Sequence, residues 1–195
     1  NPETRIINTI TPPNFAAVGG KDFTQIGPLA AISARDSFNT TEAVKYRDAA
    51  KTELEAAGAT LPVKALMPFN NSSSDWTNRV QVVEQQIESV LGSDYIDIIP
   101  LGFPSTNFLG VTRRAGNYAI QECNWGPDYS DPETYTDPFA PEGTYNWPEK
   151  AEGYVDENGV KHYENLLNAA KAEVTDIQKR YELFAEAEAF LINEA

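Results

Sequence analysis

"LPVKALMPFNNSSSDWTNRVQVVEQQIESVLGSDYIDIIPLGF", residues 61–103, alternates two apolar runs with one amphipathic segment. LPVKALMPF reads as a strand, with Pro62 at its start and Pro68 at its end, the positions where a missing N–H costs least. NNSSSD is a polar turn that ends in a helix cap at Ser74 or Asp75. Trp76, Val80, Val83, Ile87, Val90 and Leu91 then recur at three- and four-residue spacing, and Gly92 supplies the stop. DYIDIIPLGF follows as a second strand.

The same alternation extends outward. Upstream, Asn39 or Thr40 caps a helix, Glu42 sits in its first turn and Gly58 ends it. Ala43, Tyr46, Ala50, Leu54 and Ala57 form one face of that helix. Downstream, a helix weakened by Gly110 is expected between Ser105 and Ala115, and NYAIQECNW (117–125) reads as a third strand. Helix–strand–helix–strand–helix–strand order argues for an α/β layer with a central sheet and short connections.

The flanks are less regular. Residues 1–38 carry punctuation (Pro12-Pro13, Gly19-Gly20, Gly27-Pro28) and read as mostly loop, with a short helix around Leu29–Ser33. GYVDENGVKHY (153–163) reads as a hairpin turning at Glu157-Asn158-Gly159. Leu167, Ala170, Val174, Ile177, Tyr181, Phe184, Ala187 and Leu191 predict one long final helix, docked on the sheet or paired with a second copy.

Composition narrows the chemistry. The 195 residues suffice for one domain with a core, or for two small ones. A net charge of −14 disfavours nucleic acid and anionic membranes, whose phosphates need Lys and Arg. One cysteine, Cys123, excludes an internal disulfide, and one histidine, His162, leaves no His/Cys zinc cluster and a poor basis for a Ser-His-Asp triad. No phosphate-cradling glycine motif, calcium loop or other cofactor signature is present, and no stretch is apolar enough to span a bilayer. The chain starts at Asn1, as a mature protein or an excised fragment would.

One segment stands apart: NWGPDYSDPETYTDPF, residues 124–139, too broken for a helix and too aromatic for an ordinary surface loop. Ligands of open α/β sheets sit beyond the carboxyl ends of strands, which is where this segment follows the third strand. Asp131 and Glu133 read as the start of a helical turn, with Pro132 at its first position. Asp128 follows the rigid Gly126-Pro127 pair and can accept a cationic group, with Trp125 as an apolar or cation–π wall. Equally, Asp128 can pair with a Lys or Arg of the same chain and Trp125 can be core. A glycoside hydrolase or carbohydrate-binding site using Asp128 and Glu133 among Trp125, Tyr129 and Tyr135 is a further alternative.

NWGPDYSDPETYTDPF resembles the W-x-x-D-Y-x-D-P-x-S/T-F/Y signature of the peptide/nickel family of extracellular solute-binding proteins, receptors for ABC importers. AVKYRDAAKTELEAAGATLPVKALMPFNN (43–71), DWTNRVQVVEQQIESVLGSDYIDIIPLGFPSTNFL (75–109), RRAGNYAIQECNWGPDY (113–129) and RYELFAEAEAFLINEA (180–195) resemble further stretches of the same family, in its order. The oligopeptide-binding members of Gram-positive bacteria are the most similar.

The resemblance implies a lobe of the periplasmic-binding-protein type II fold: α/β, three-layer-like, with a central mixed sheet flanked by helices. It implies residues 35–195 as the ligand-binding second lobe and 1–34 as a poorly matched crossover. The usual P-x-x-P continuation is missing, as expected of an excised domain. Two lobes would close on an extended peptide that pairs through its backbone. Asp128 would take the peptide's amino terminus, Asn124 and Gly126 would offer backbone groups, Trp125 would pack beside them and Tyr129 would support the turn. The implied partners are an oligopeptide, the first lobe of the same receptor and the importer's membrane subunits. The implied location is the extracellular face of a Gram-positive membrane, lipid-anchored, or a periplasm. No enzyme activity, metal or cofactor is implied. Glu122 departs from members with a basic residue nearby for the ligand carboxylate, which Arg113 or Arg114 would have to replace, and Pro127 removes a backbone donor.

Overall fold

The computed structural model describes residues 6–194, so the first five residues of the expected crossover lie outside it. In chain order, strands β1 (Ala17–Val18) and β2 (Lys21–Asp22) precede helix α1 (Leu29–Ala34). Helix α2 (Thr40–Ala56), strand β3 (Val63–Asn70), helix α3 (Ser74–Leu91) and strand β4 (Ile96–Phe103) follow. A short helix α4 (Glu133–Thr136) and the longer α5 (His162–Ala172) and α6 (Ile177–Asn193) complete the set. The chain divides into two compact units, Phe38–Asn124 and Asn1–Ser37 with Trp125–Ala195.

The unit Phe38–Asn124 is the α–β–α–β run expected from residues 39–103. The Asn39 side chain accepts the Glu42 N–H at 3.0 Å and starts α2, while Gly58 takes the left-handed φ of +74° just past its end. The cap of α3 is Ser73, one residue earlier than expected, because the Asn70 side chain accepts the Ser72 N–H and turns the chain sooner. β3 and β4 pair in parallel from Val63↔Ile96 to Asn70↔Phe103. Ala65 and Met67 point inward from β3 and bury with Val80 of α3 and Ile98 of β4, the period of two meeting the period of three to four. Glu88 fixes the helix to the sheet by accepting the Ile98 N–H at 2.9 Å.

The α/β class holds, but the sheet is smaller than a central mixed sheet. Among the described residues it is one parallel pair, with β1–β2 a separate antiparallel pair. The expected third strand does not form. Instead the Ala119 and Ile120 N–H groups both reach the Leu66 carbonyl, at 2.9 and 3.1 Å. Residues 66 and 68 of β3 share one edge, and Pro68 has no N–H there, so the ladder has no next rung. The helix expected at 105–115 shrinks to a wide π-type stretch, Leu109–Arg113, in which Gly110 weakens the helix and the Thr112 hydroxyl donates back to the Phe108 carbonyl.

The other unit has the larger core. Phe23, Leu29, Tyr163, Ala170, Phe184, Ala185 and Ala187 are fully buried in it. Phe23, Ile26, Leu29 and Ile32 come from the stretch expected as a crossover, so that segment contributes core as well as connection. Glu188 of α6 ties it down, accepting the Ile10 N–H at 2.8 Å, the Thr11 N–H at 3.1 Å and the Thr11 hydroxyl at 2.6 Å.

The expected single final helix is two. Glu173 accepts the N–H groups of Thr175 and Asp176 and the Thr175 hydroxyl, which closes α5, and its carboxyl is pulled down to about 2 by those bonds. Asp176 then caps α6 through the Lys179 N–H. Val174, expected on the buried stripe, is exposed in the link. The expected hairpin keeps its turn but lacks strands: Gly159 sits at φ +77°, and Asp156 accepts the Asn158 and Val160 N–H groups. A helical turn at Glu152–Tyr154 and α5 flank it, because Tyr154 and Tyr163 are drawn into the core.

Candidate functional site

Trp125, Asp128 and Tyr129 line one cleft of about 270 Å³, closed by Thr134, Asp137, Pro138, Glu142, Gly143 and Thr144. All belong to the unit that contains α4 to α6. Asn124 is the last residue of the other unit and is exposed. Gly126 is exposed too, with open space where a Cβ would stand, and neither residue lines the cleft.

With no third strand, what holds the segment is the chain that follows it. The Asp131 side chain accepts the Glu133 N–H at 2.9 Å and its carbonyl accepts the Thr134 N–H at 3.1 Å, starting α4 as expected after Pro132. The Tyr145 N–H returns to the Pro138 carbonyl at 2.7 Å, folding the next loop back on itself. Gly143 makes that possible, since a Cβ there would overlap the Pro138 carbonyl oxygen. Aromatic rings fill the fold: Phe139, Tyr145 and Trp147 lie 5.0–5.9 Å apart, and Trp125 meets Tyr145 edge-on at 5.8 Å. Trp125 is therefore neither loose nor core. One edge rests on Tyr145 and the side chain keeps 37% of its exposure.

The carboxylates sort by partner. Glu133 and Asp131 both bind Arg180 of α6, at 2.6 and 3.1 Å. Asp137 binds Lys171 of α5. Asp128 is exposed at the cleft, and among the described residues no Lys or Arg lies within ion-pairing distance of it. Tyr129 reports the local field: its phenol is pushed above its ordinary value, first by partial burial, then by Glu133, Asp137 and Asp131, against the opposing Arg180. A carboxylate here, beside an indole and a phenol, suits a cationic group. Glu133, locked to Arg180, is not available as the second carboxylate of a hydrolase. Glu122, in the other unit, pairs with Arg79.

Thr134, Gly143, Tyr145 and Arg180 were not singled out from sequence. Thr134 stands at the S/T position of the signature. Arg180 lies forty-nine residues from Asp131, with no local signal linking them. Among the described residues, no helix is long and apolar enough to cross a membrane, and no group of three or more His, Cys, Asp or Glu is placed to hold a metal ion.

No family model matches the chain. It is 30% identical to the oligopeptide-binding protein SarA of Streptococcus gordonii, over 96% of this chain and 32% of that protein. It is 32% identical to the oligopeptide-binding protein AliB of Streptococcus pneumoniae, over 97% of this chain and 33% of that one. A solved oligopeptide ABC transporter substrate-binding domain from Bacillus anthracis superposes with a TM-score of 0.77 at 25% identity, covering 98% of this chain and 33% of its own. The chain spans about a third of the length of the curated relatives it matches. Over nearly its whole length it is similar to that third of the oligopeptide-binding proteins, and its mixed α/β fold matches the corresponding part of the periplasmic-binding-protein type II fold of these binders.

Proposed function

We propose that this chain is part of the substrate-binding component of an ABC importer and that it holds the amino terminus and backbone of an extended oligopeptide. Residues 35–195 act as the receptor's second lobe, with 1–34 leading into it. The first lobe of the same receptor closes over the ligand, and the importer's membrane subunits receive it on the outer face of the membrane or in a periplasm. Asp128 accepts the peptide ammonium, Trp125 and Tyr129 flank it, and Asn124 and Gly126 offer backbone groups to the peptide chain.

One observation carries this reading: Asp128 lies exposed in an aromatic-walled cleft with no cation of the described chain paired to it, while its neighbours Asp131, Glu133 and Asp137 all have one. The same pairing argues against hydrolysis, and the matched relatives are named as binding proteins. Titration calorimetry of the full-length protein with peptides bearing free and acetylated amino ends tests it. Free peptides should bind at least about tenfold more tightly, a difference lost in Asp128→Ala. Equal binding of both forms, or an unchanged Asp128→Ala, would sink the reading.

A further inference from the structure

We infer that Thr134 and Arg180 are positioning residues for the ammonium acceptor, holding Asp128 in place from the core of its unit, an inference that rests on the reading of Asp128 given above. The two residues immediately before Asp128 give it little support. Gly126 has no contact where a side chain would be, Pro127 has no N–H to give, and the stretch 124–130 is exposed throughout. Its backbone is anchored from the far side, where the Asp128 N–H donates to the Thr134 hydroxyl oxygen at 3.2 Å.

Thr134 is a rigid anchor. It is 3% exposed and sits in the first turn of α4, its own N–H bonded to the Asp131 carbonyl. Arg180 grips that turn through both acids at its start, Asp131 and Glu133. Arg180 is in turn fixed: its other terminal nitrogen donates to the Ala170 carbonyl at 2.9 Å, and the guanidinium lies 4.7 Å from the ring of Phe184, which is fully buried. A continuous path of hydrogen bonds and one cation–π contact thus runs from α6 through α4 to the backbone of Asp128. The guanidinium fork is what lets one side chain serve two carboxylates and a carbonyl, which a lysine ammonium cannot match in geometry. A charge-assisted bond to a ligand ammonium depends on where the carboxylate is held, so loosening this path acts on the ligand without touching it.

The experiment compares Thr134→Val, Thr134→Ser, Arg180→Lys and Asp128→Asn in the full-length protein. Each is titrated with a random hexapeptide library made with free and with acetylated amino ends, and each is melted thermally. Thr134→Val keeps the side-chain volume and removes the acceptor. It should weaken binding of the free library about tenfold, leave the acetylated library unchanged, and be rescued by Thr134→Ser. Arg180→Lys should narrow the free-to-acetylated ratio in the same sense. A Thr134→Val protein with the wild-type ratio, where Asp128→Asn has lost it, would overturn the positioning role and leave the ammonium reading standing. A wild-type protein that binds both libraries equally, or neither, would overturn both. Should Arg180→Lys fail to fold, the Thr134 pair decides the matter alone.

Discussion

Glu188 shows how much one side chain can organise without being part of a site. Its carboxyl is fully buried and takes three donors from Ile10 and Thr11, 178 and 177 residues away. Burial pushes its pKa above the ordinary glutamate value, and the hydrogen bonds pull only partly back. The folded state therefore binds this proton more tightly than the unfolded chain. Its stabilising contribution is full below the unfolded pKa, near 4.5, and is lost as pH rises through the higher folded value. Glu188→Gln keeps the shape, and the Thr11 hydroxyl can turn to accept from the new amide. Urea unfolding of both proteins across mildly acidic to neutral pH should show the wild type losing stability relative to the variant as pH rises. A difference that does not change with pH would contradict a buried, titrating carboxyl.

At the scale of elements, the break between α5 and α6 is the clearest departure from periodicity. The apolar stripe from Leu167 to Leu191 runs across it, and Val174 in the link and Ile177 at the start of α6 are lost to solvent. Side-chain capping decides the break: Glu173 and Asp176 satisfy N–H groups that a continuous helix would have bonded to carbonyls. Asp176→Ala should destabilise the protein by about 1 kcal/mol and speed amide exchange at Lys179 and its neighbours in the first turn of α6. Unchanged exchange there would mean that packing alone sets the start of α6. The elements of residues 39–103 were legible because each has its own signal within a few residues: Asn39 and Gly58 for α2, the polar turn and Gly92 for α3. The third strand was not, because its formation depended on the edge of β3, where Pro68 offers no donor.

For the whole molecule, the proposed lobe supplies one side of a closing site. The isolated 195-residue chain should then bind the free hexapeptide library far more weakly than the full-length protein, by at least about a hundredfold, since most of the contacts that offset ordering and association are missing. Calorimetry on the two proteins side by side checks this, and comparable affinities would show that this segment binds alone. Local sequence determined the acidic surface, α2, α3, β3, β4, the turn at α4, and the cluster of Asp128 with Trp125 and Tyr129, because spacing, caps and stops act over a few residues. Only the tertiary structure decided that Asp128 has no ion-pair partner among the described residues while Asp131, Glu133 and Asp137 do, and that α4, in place of a third strand, bonds its backbone. Those outcomes turn on which distant segments pack together, and a carboxylate's partner is set by that packing, whatever its neighbours in the chain.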